Sequence, residues 1–484
     1  MHVLLELRPA FDGHAGIPQE TRLLFRGLRQ LPGLEVEGML QASARYLARG
    51  LPAGADAWPV HKRLNRLSRV VVSAEPGRGT RRLEWLRAGL QFGRGLAGEV
   101  PLSRFDAEPF KDFVWRSLFA KTLPASDFDR ITSASYRVLQ LPWNGMHHGA
   151  LKMRRLLGRP AYPRVDTRGI DVLIAETPFP GRVSRGTQLV VRYHDAIPLL
   201  MPHSIVDREH HQASHYHALR RNVDDGAWFS CVSEATRRDL LRVFPEAEAR
   251  AIVVPNMVSH HYFPEPNGPG RVPDILMTRR NRKLHAKAPA LAEGARPYLL
   301  MVSTLEPRKN HLGLLAAWET LRAKGHENLD LVLVGQLGWD HEPIVRKLEP
   351  WMAQGRLLVL EDVPAPELRL LYRHALLTVC PSFGEGFDFS GVEAMRCGGV
   401  VAGSDIAVHR DVFGDGAEHF DPYDAEAMAA CLARLIEQPA RREQLRVQGA
   451  QVATRYLPEQ VLPQWQQFFN TLQLGAARAR TPTP

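Results

Sequence analysis

Two doubly wound α/β domains are what this chain predicts, on three observations. Its 484 residues exceed one ordinary domain, and 44% hydrophobic content is ample for two cores. Short β-rich apolar runs alternate with helical ones twice, over residues 171–254 and again from Tyr298, a pattern that builds parallel sheets. Between the two series, from Pro264 to Pro297, the chain turns rich in Pro, Arg and Lys around RVPDILMTRRNRKLHAKAP, the composition of a connector. The expected organisation is a first domain over 1–280 elaborated at about 50–165, a linker over 281–296, a second domain over 297–456, and a terminal helix and tail over 457–484.

In the first domain, Val3 to Leu7 reads as a buried strand. Gly13 and Gly16 break it, and Gln19 to Leu31 follow with helical spacing at Leu23, Leu24, Leu28 and Leu31. The glycine loop is not GxGxxG, so it carries no dinucleotide fingerprint. An apolar stretch at Phe110 to Leu123 predicts a helix. Strands are expected at Asp171–Ala175, Gln188–Tyr193, Trp228–Val232 and Ile252–Val254. The second domain should hold strands at Tyr298–Val302, Leu329–Val334, Leu357–Leu360, Leu376–Cys380 and Val400–Ala402. Helices follow from about His311, over Asp424–Glu437 and over Arg441–Tyr456; a last one carries Trp465, Phe468 and Phe469.

Composition narrows the setting. Cys231, Cys380, Cys397 and Cys431 form no close pair and no metal-ligand spacing, which fits a reduced, cytosolic protein. The opening MHVLLELRPAFDG lacks a signal-peptide h-region, and no stretch approaches the roughly 18 apolar residues of a spanning helix, so the expectation is a soluble or at most peripheral protein. The net charge of +10 is unevenly placed. Lys62, Arg63, Arg66, Arg69, Arg78, Arg81, Arg82, Arg87 and Arg94 meet only Glu75 and Glu84, with Leu64, Leu67, Leu83, Trp85, Leu86, Leu90 and Phe92 interleaved. Such a stretch is either a solvated helical face or a surface for anionic lipid. No nucleic-acid motif accompanies it.

The chemistry centres on Cys380 to Gly399, CPSFGEGFDFSGVEAMRCGG. Glu385 stands in a glycine-flanked loop, and Glu393 follows eight residues later, past an expected helix start. Ser390 and Glu393 have capping-box spacing, and Gly398-Gly399 read as the stop. The amides of Ser390, Gly391 and Val392, aided by the helix dipole, would attract an anion. A carboxylate for hydroxyls beside a cradle for phosphate is a seat for a nucleotide-sugar. Four histidines, His210, His211, His215 and His217, fall close together, His211 and His215 on one helical face. HExxH is absent and no carboxylate or cysteine motif completes a metal set, so an exposed or acceptor-facing helix is the expectation.

The central string is similar to the EGFGLPxLEAM signature of the retaining, nucleotide-sugar-dependent glycosyltransferases of family 4, which have the GT-B fold. Glu385-Gly386-Phe387 and Glu393-Ala394-Met395 match it, while Asp388, Phe389 and Ser390 stand where Gly, Leu and Pro are usual. Further matches are His194-Asp195 followed by Ile197-Pro198-Leu199, Ser233-Glu234 with Val253-Val254-Pro255-Asn256, and Asp411-Val412 with Asp421-Pro422. Glu306 to Asn310 resembles the EPRKN motif frequent in family-4 mannosyltransferases. Near Gly16, Ile17-Pro18-Gln19 replaces the commoner Ile-Gly-Arg.

The resemblance implies two Rossmann-like domains facing a central cleft. It implies that Glu393 takes ribose hydroxyls and Glu385 meets the donor sugar. Arg308 and Lys309 would hold the diphosphate, with Gly386, Phe387, Asp388, Phe389, Ser390 and Gly391 around the donor. His194 would approach the sugar from the first domain, with Asp195 and Gly16 on the acceptor side of the cleft. No metal or other cofactor is expected, since the cations supply charge stabilisation; no double-displacement nucleophile is assigned, because the resemblance implies reaction on the front face, with the leaving phosphate helping to deprotonate the acceptor. The motif wording points to GDP-mannose or a related GDP-sugar, with a UDP-sugar as the alternative. The expected acceptor is a lipid-linked glycan of a cell-surface polysaccharide, with peripheral contact to anionic membrane and no nucleic acid. A GT-B sugar-nucleotide epimerase and a non-catalytic partner in polysaccharide assembly remain as alternatives.

Overall fold

The computed structural model describes residues 1–13, 16–75, 82–265, 268–286 and 296–480. Two large sheets dominate. The first runs Ala251–Val253, Trp228–Cys231, Gln188–Tyr193, Val172–Ala175, His2–Glu6, Glu35–Leu40, Tyr136–Val138 and Ser103–Phe105, parallel throughout except for its last pair. The second is all parallel, in the order Leu357–Leu360, Asp330–Val334, Tyr298–Val302, Leu377–Cys380, Val401–Ser404 and Ala417–Phe420.

Alternate residues of one strand enter different cores. Leu5, Val172, Ile174 and Val190 pack in one cluster, and Leu4, Leu173, Ala175 and Val191 in another. Leu300 and Val332 are likewise separated from Leu299 and Leu331. Burial on both faces is why these strands read as unbroken apolar runs rather than as an alternation.

Strand order locates the sites. In the first sheet the chain turns outward in opposite directions on the two sides of the gap between His2–Glu6 and Val172–Ala175. In the second the same reversal falls between Tyr298–Val302 and Leu377–Cys380. Ligands of doubly wound sheets bind beyond the carboxyl ends of strands at such switch points.

Several elements depart from the sequence reading. The first helix is Ile17–Leu28, starting earlier because Gly16 in the left-handed region lets the chain turn directly into it. Phe110 to Leu123 is not one helix. A 3-10 turn at Glu108–Phe110, an α turn at Lys111–Val114 and a π turn at Trp115–Phe119 follow one another instead. The stretch 50–165 is more than an elaboration, since Ser103–Phe105 and Tyr136–Val138 extend the first sheet. The connector also carries structure. The helix Val272–Thr278 buries Val272, Ile275 and Leu276 in the second domain's core, and Asn281 N donates to the Val359 carbonyl at 2.9 Å. Of the expected linker, residues 287–295 lie outside the described residues, as do Arg78 and Arg81 of the basic stretch.

The last helix, Pro458–Arg480, crosses back to the first domain. There Val461, Leu462, Trp465, Phe468, Phe469 and Leu472 join the first core. All four cysteines are buried and free. No helix among the described residues is long and apolar enough to cross a membrane.

Candidate active site

The second domain's half begins with Glu306 to Asn310, beyond the carboxyl end of Tyr298–Val302. Asn310 adopts φ +62°, and its side chain caps the helix His311–Ala323 by accepting from Gly313 N at 3.2 Å. Its Nδ2 donates to the carbonyls of Pro381 (3.0 Å) and Pro422 (2.8 Å). One amide thus ties the motif to the loop after the neighbouring strand Leu377–Cys380. That tie brings Arg308 and Lys309 to Glu385. Arg308 lies 3.0 Å from Glu385, 2.8 Å from Glu306 and 2.5 Å from the Gly384 carbonyl. Lys309 Nζ lies 2.5 Å from Glu385. Burial raises the Glu385 pKa, but Arg308 and then Lys309 outweigh it and hold the carboxylate below its ordinary range. The same pairing keeps Arg308 charged against the cost of burial.

The helix start differs from expectation. Asp388 has φ +65°, the left-handed region in which glycine is unstrained, and it stands where the family pattern has glycine. Its Oδ1 accepts from Ser390 N (3.1 Å) and Ser390 Oγ (2.6 Å), while Oδ2 faces His409 Nε2 at 3.1 Å. Burial opposes the charge on Asp388, yet the hydrogen bond from His409 and its neighbours hold the pKa well down. Asp388, and not Ser390, therefore caps Phe389–Arg396, and Glu393 is no capping partner. The expected anion cradle is correspondingly reduced. Ser390 N is already engaged, and Gly391 is backed by Phe413, whose ring would lie 2.3 Å from an added Cβ. Phe387 is core, packed on Phe389 and Tyr456 with ring centroids 5.2 and 5.0 Å apart. Gly398, at φ +74°, ends the turn after the helix as read from sequence.

Glu393 is 4% exposed and accepts from Gln19 Nε2 at 2.8 Å and Tyr372 OH at 3.1 Å. Burial pushes its pKa up to about 7, although these hydrogen bonds pull the other way. Gln19 belongs to the first helix, so the first domain covers the carboxylate expected at a ribose.

On the first-domain side, His194 and Asp195 follow the strand Gln188–Tyr193. Asp195 Oδ1 accepts from Ile197 N at 2.9 Å and starts the short helix Ile197–Leu200. His194 Nε2 lies 3.3 Å from Glu176 Oε2, at the end of the adjacent strand. Behind them is a buried charged group, with Arg192 3.0 Å from Glu20 and Arg8 2.6 Å from Glu6. Among the described residues, two sets bring three ligand-type atoms within 4.8 Å of one another: His2, Glu35 and Glu37, and Glu20, Glu176 and His194. In the second set Arg192 already supplies positive charge to Glu20. The histidine cluster contributes to neither. His210 stacks on His148 at 4.3 Å, and His211 and His215 line the cavity between the two halves.

The two halves meet closely. An added Cβ on Gly386 would sit 1.8 Å from the His194 carbonyl oxygen, so only glycine fits. The Gly386 carbonyl accepts from Ser233 Oγ (2.9 Å) and Thr236 Oγ1 (3.2 Å). Asp411 accepts from the amides of Glu234 (2.7 Å) and Ala235 (3.2 Å), reinforcing across the cleft the N-terminus that Ser233 caps. Between the halves lies a cavity of about 220 Å³ whose lining includes Glu176, Thr177, His194, Asp195, Arg308 and Trp339.

The structure thus gathers Arg308, Lys309 and Glu385 into one ion-pair cluster, with His194 and Asp195 facing it. Glu393 and Phe387 are enclosed, and Gly16, at φ +70°, has open space where a Cβ would be. Sequence reasoning missed Glu176, Thr177 and Trp339 as cavity residues. Glu176 directly follows the strand Val172–Ala175, and that strand-end position was the available signal.

Residues 284–452 match the family described as Glycosyl transferases group 1. O-antigen chain mannosyltransferase B of Escherichia coli is 28% identical over 239 residues, covering 49% of this chain and 59% of that protein. A serotype-specific mannosyltransferase WbdA of Escherichia coli is 30% identical over 265 residues, covering 51% and 30%. The chain therefore matches less than two thirds of either relative's length. Among solved structures, sucrose-phosphate synthase from Thermosynechococcus elongatus aligns with TM-score 0.61 at 15% identity, covering 98% of this chain and 99% of that one. Anabaena Alr3699/HepE in complex with UDP and glucose aligns with TM-score 0.51 at 16% identity, covering 75% and 93%. At such identities the likeness is one of fold.

Proposed function

We propose, from the premise that residues 284–452 are a Glycosyl transferases group 1 domain within a GT-B fold of two Rossmann-like domains, that the chain is a retaining hexosyltransferase. The observation that carries this reading is the meeting of Arg308, Lys309 and Glu385 at the second sheet's switch point, opposite His194. A departing nucleoside diphosphate gathers negative charge, and preorganised cations stabilise it. Since Ser390 N is engaged by Asp388, that task falls chiefly to Arg308 and Lys309. Their release of Glu385 would free its carboxylate for hydroxyls of the donor sugar, while Glu393 would exchange Gln19 for ribose hydroxyls as the domains move. No metal is assigned a role.

The donor we favour is GDP-mannose or a related GDP-sugar, supported by Glu306 to Asn310 and by two relatives named as mannosyltransferases. The acceptor is a lipid-linked polysaccharide precursor at the cytoplasmic face of a membrane. The helix Arg82–Ala97 supports this placement, exposing Leu83 (66%), Leu86 (66%) and Leu90 (75%) at i, i+3 and i+7. A leucine stripe on the solvent side of a basic helix suits the interface of an anionic bilayer.

Calorimetric titration with GDP, UDP and ADP, each without metal, tests the donor assignment. Saturable GDP binding, with transfer to a glycan acceptor lost in Glu385→Ala while the fold is retained, is the expected result. UDP binding in place of GDP would overturn the mannose assignment. A folded Glu385→Ala variant with full transfer activity would overturn the site.

A further inference from the structure

We propose that Glu176 is a positioning residue whose protonated carboxyl donates to Nε2 of His194, leaving the neutral ring with its own proton on Nδ1. His194 then presents a hydrogen-bond donor at the cleft rather than a base. The kinetic consequence rests on the reading above that His194 meets the donor sugar; the protonation state does not.

Glu176 and His194 follow neighbouring parallel strands, stand 3.3 Å apart and both line the cavity. Glu176 is fully buried, and besides His194 the one side chain its carboxyl meets in a hydrogen bond among the described residues is the carboxyl of Glu20, itself buried. Three buried carboxyl groups, Glu6, Glu20 and Glu176, share this interior with two guanidinium groups. Arg8 pairs with Glu6 at 2.6 Å and Arg192 with Glu20 at 3.0 Å. The remaining nitrogens of Arg192 are spent on Ser230, the Val254 carbonyl and Asn256. Among the described residues Glu176 has no ion-pair partner except His194. An uncompensated charge in such a place is costly, and one proton removes it.

That proton has two places to sit. Burial pushes the Glu176 carboxyl up to about 8 and the His194 imidazole down to about 4, so the carboxyl holds it at neutral pH. Burial and then the neighbouring charge of Glu176 raise Glu20 as well, to about 7, while Arg192 draws both carboxyls down; Glu176, at about 8, stands the higher of the two and takes the proton first. The other titratable groups facing the pair are Asp195, His211, His215 and Arg308 across the cavity. A carboxyl that donates to Nε2 fixes the tautomer, as ring-nitrogen partners do in general.

Nitrogen-15 NMR of the histidine-labelled full chain tests the proposal, with His194 assigned by its loss in His194→Gln. A neutral ring protonated at Nδ1 is expected at pH 7 in the wild type, and loss of that single tautomer in Glu176→Ala. A ring protonated at Nε2, or a charged ring, overturns the proposal whether or not the protein transfers sugar. In the transfer assay Glu176→Ala should lower kcat about tenfold with little change in KM for the donor, the scale of one misdirected hydrogen bond. Glu176→Gln, whose amide donates to the same nitrogen, should recover most of that loss. It should also abolish any fall in rate above pH 8, since it has no proton to lose. Persistence of that alkaline limb in Glu176→Gln counts against the assignment. So does Mn²⁺ binding at His194 that depends on Glu176.

Discussion

Substituting Gly386 by alanine should open the cleft without unfolding either domain. The new Cβ would begin 1.8 Å from the His194 carbonyl oxygen, whereas ordinary van der Waals contact starts at 3.4 Å. The neighbour is backbone at the end of a central strand, so it cannot swing aside as a side chain would. The two loops must therefore part by the difference, 1.6 Å. The Gly386 carbonyl now receives Ser233 Oγ at 2.9 Å and Thr236 Oγ1 at 3.2 Å, and such a shift takes both beyond bonding range. Two hydrogen bonds at about 0.5–1.5 kcal/mol each give about 1–3 kcal/mol against the closed arrangement, or roughly a five- to 150-fold change in its population. Small-angle scattering should report a larger radius of gyration, and kcat/KM should fall at least about fivefold. The urea midpoint should hardly move, because Gly386 belongs to neither sheet. A variant that keeps the compact dimensions and wild-type kcat/KM would refute the reasoning.

Two further outcomes follow from burial. Glu393 has a folded pKa of about 7 against an ordinary 4.5, so the native state binds its proton more tightly than the unfolded chain does. The stability this proton confers is complete below the unfolded value and is lost as pH rises through about 7. Between pH 5 and 8 the wild type should lose up to about 3 kcal/mol relative to Glu393→Gln in urea denaturation, and parallel profiles would reject the assignment. Trp465→Ala should cost the first domain about 3–5 kcal/mol by denaturant melting, since its ring is fully buried among Phe468, Phe469 and Val461; a loss under 1 kcal/mol would contradict the packing.

Strands buried on both faces were legible because Val, Leu and Ile run together there, and the strand-end position of Glu385 followed from that pattern. The aromatic spacing around Trp465 likewise announced a helix with a buried face. Other features depend on contacts that no local pattern encodes. Gln19 reaches Glu393 across 374 positions of sequence, so neither residue reveals the other. Asp388 read as a disruption of a glycine position, yet a short carboxylate tolerates the left-handed backbone and caps the helix itself. Ser390 and Glu393 had the right spacing for a capping box, but the helix starts two residues too early for it. Ser103–Phe105 and Tyr136–Val138 are each three residues long, too short for periodicity to mark, and sheet pairing alone defines them.

The return of the last helix has a mechanical consequence. Because the chain leaves the first domain after Met257 and re-enters it after Tyr456, two covalent segments join the lobes, and they are bonded to each other where Val258 N donates to the Tyr456 carbonyl at 2.8 Å. A single tether permits swivel in every direction. A doubled and cross-linked one acts as a door hinge, confining the lobes to rotation about one line and keeping Gly386 and His194 in register each time they come together.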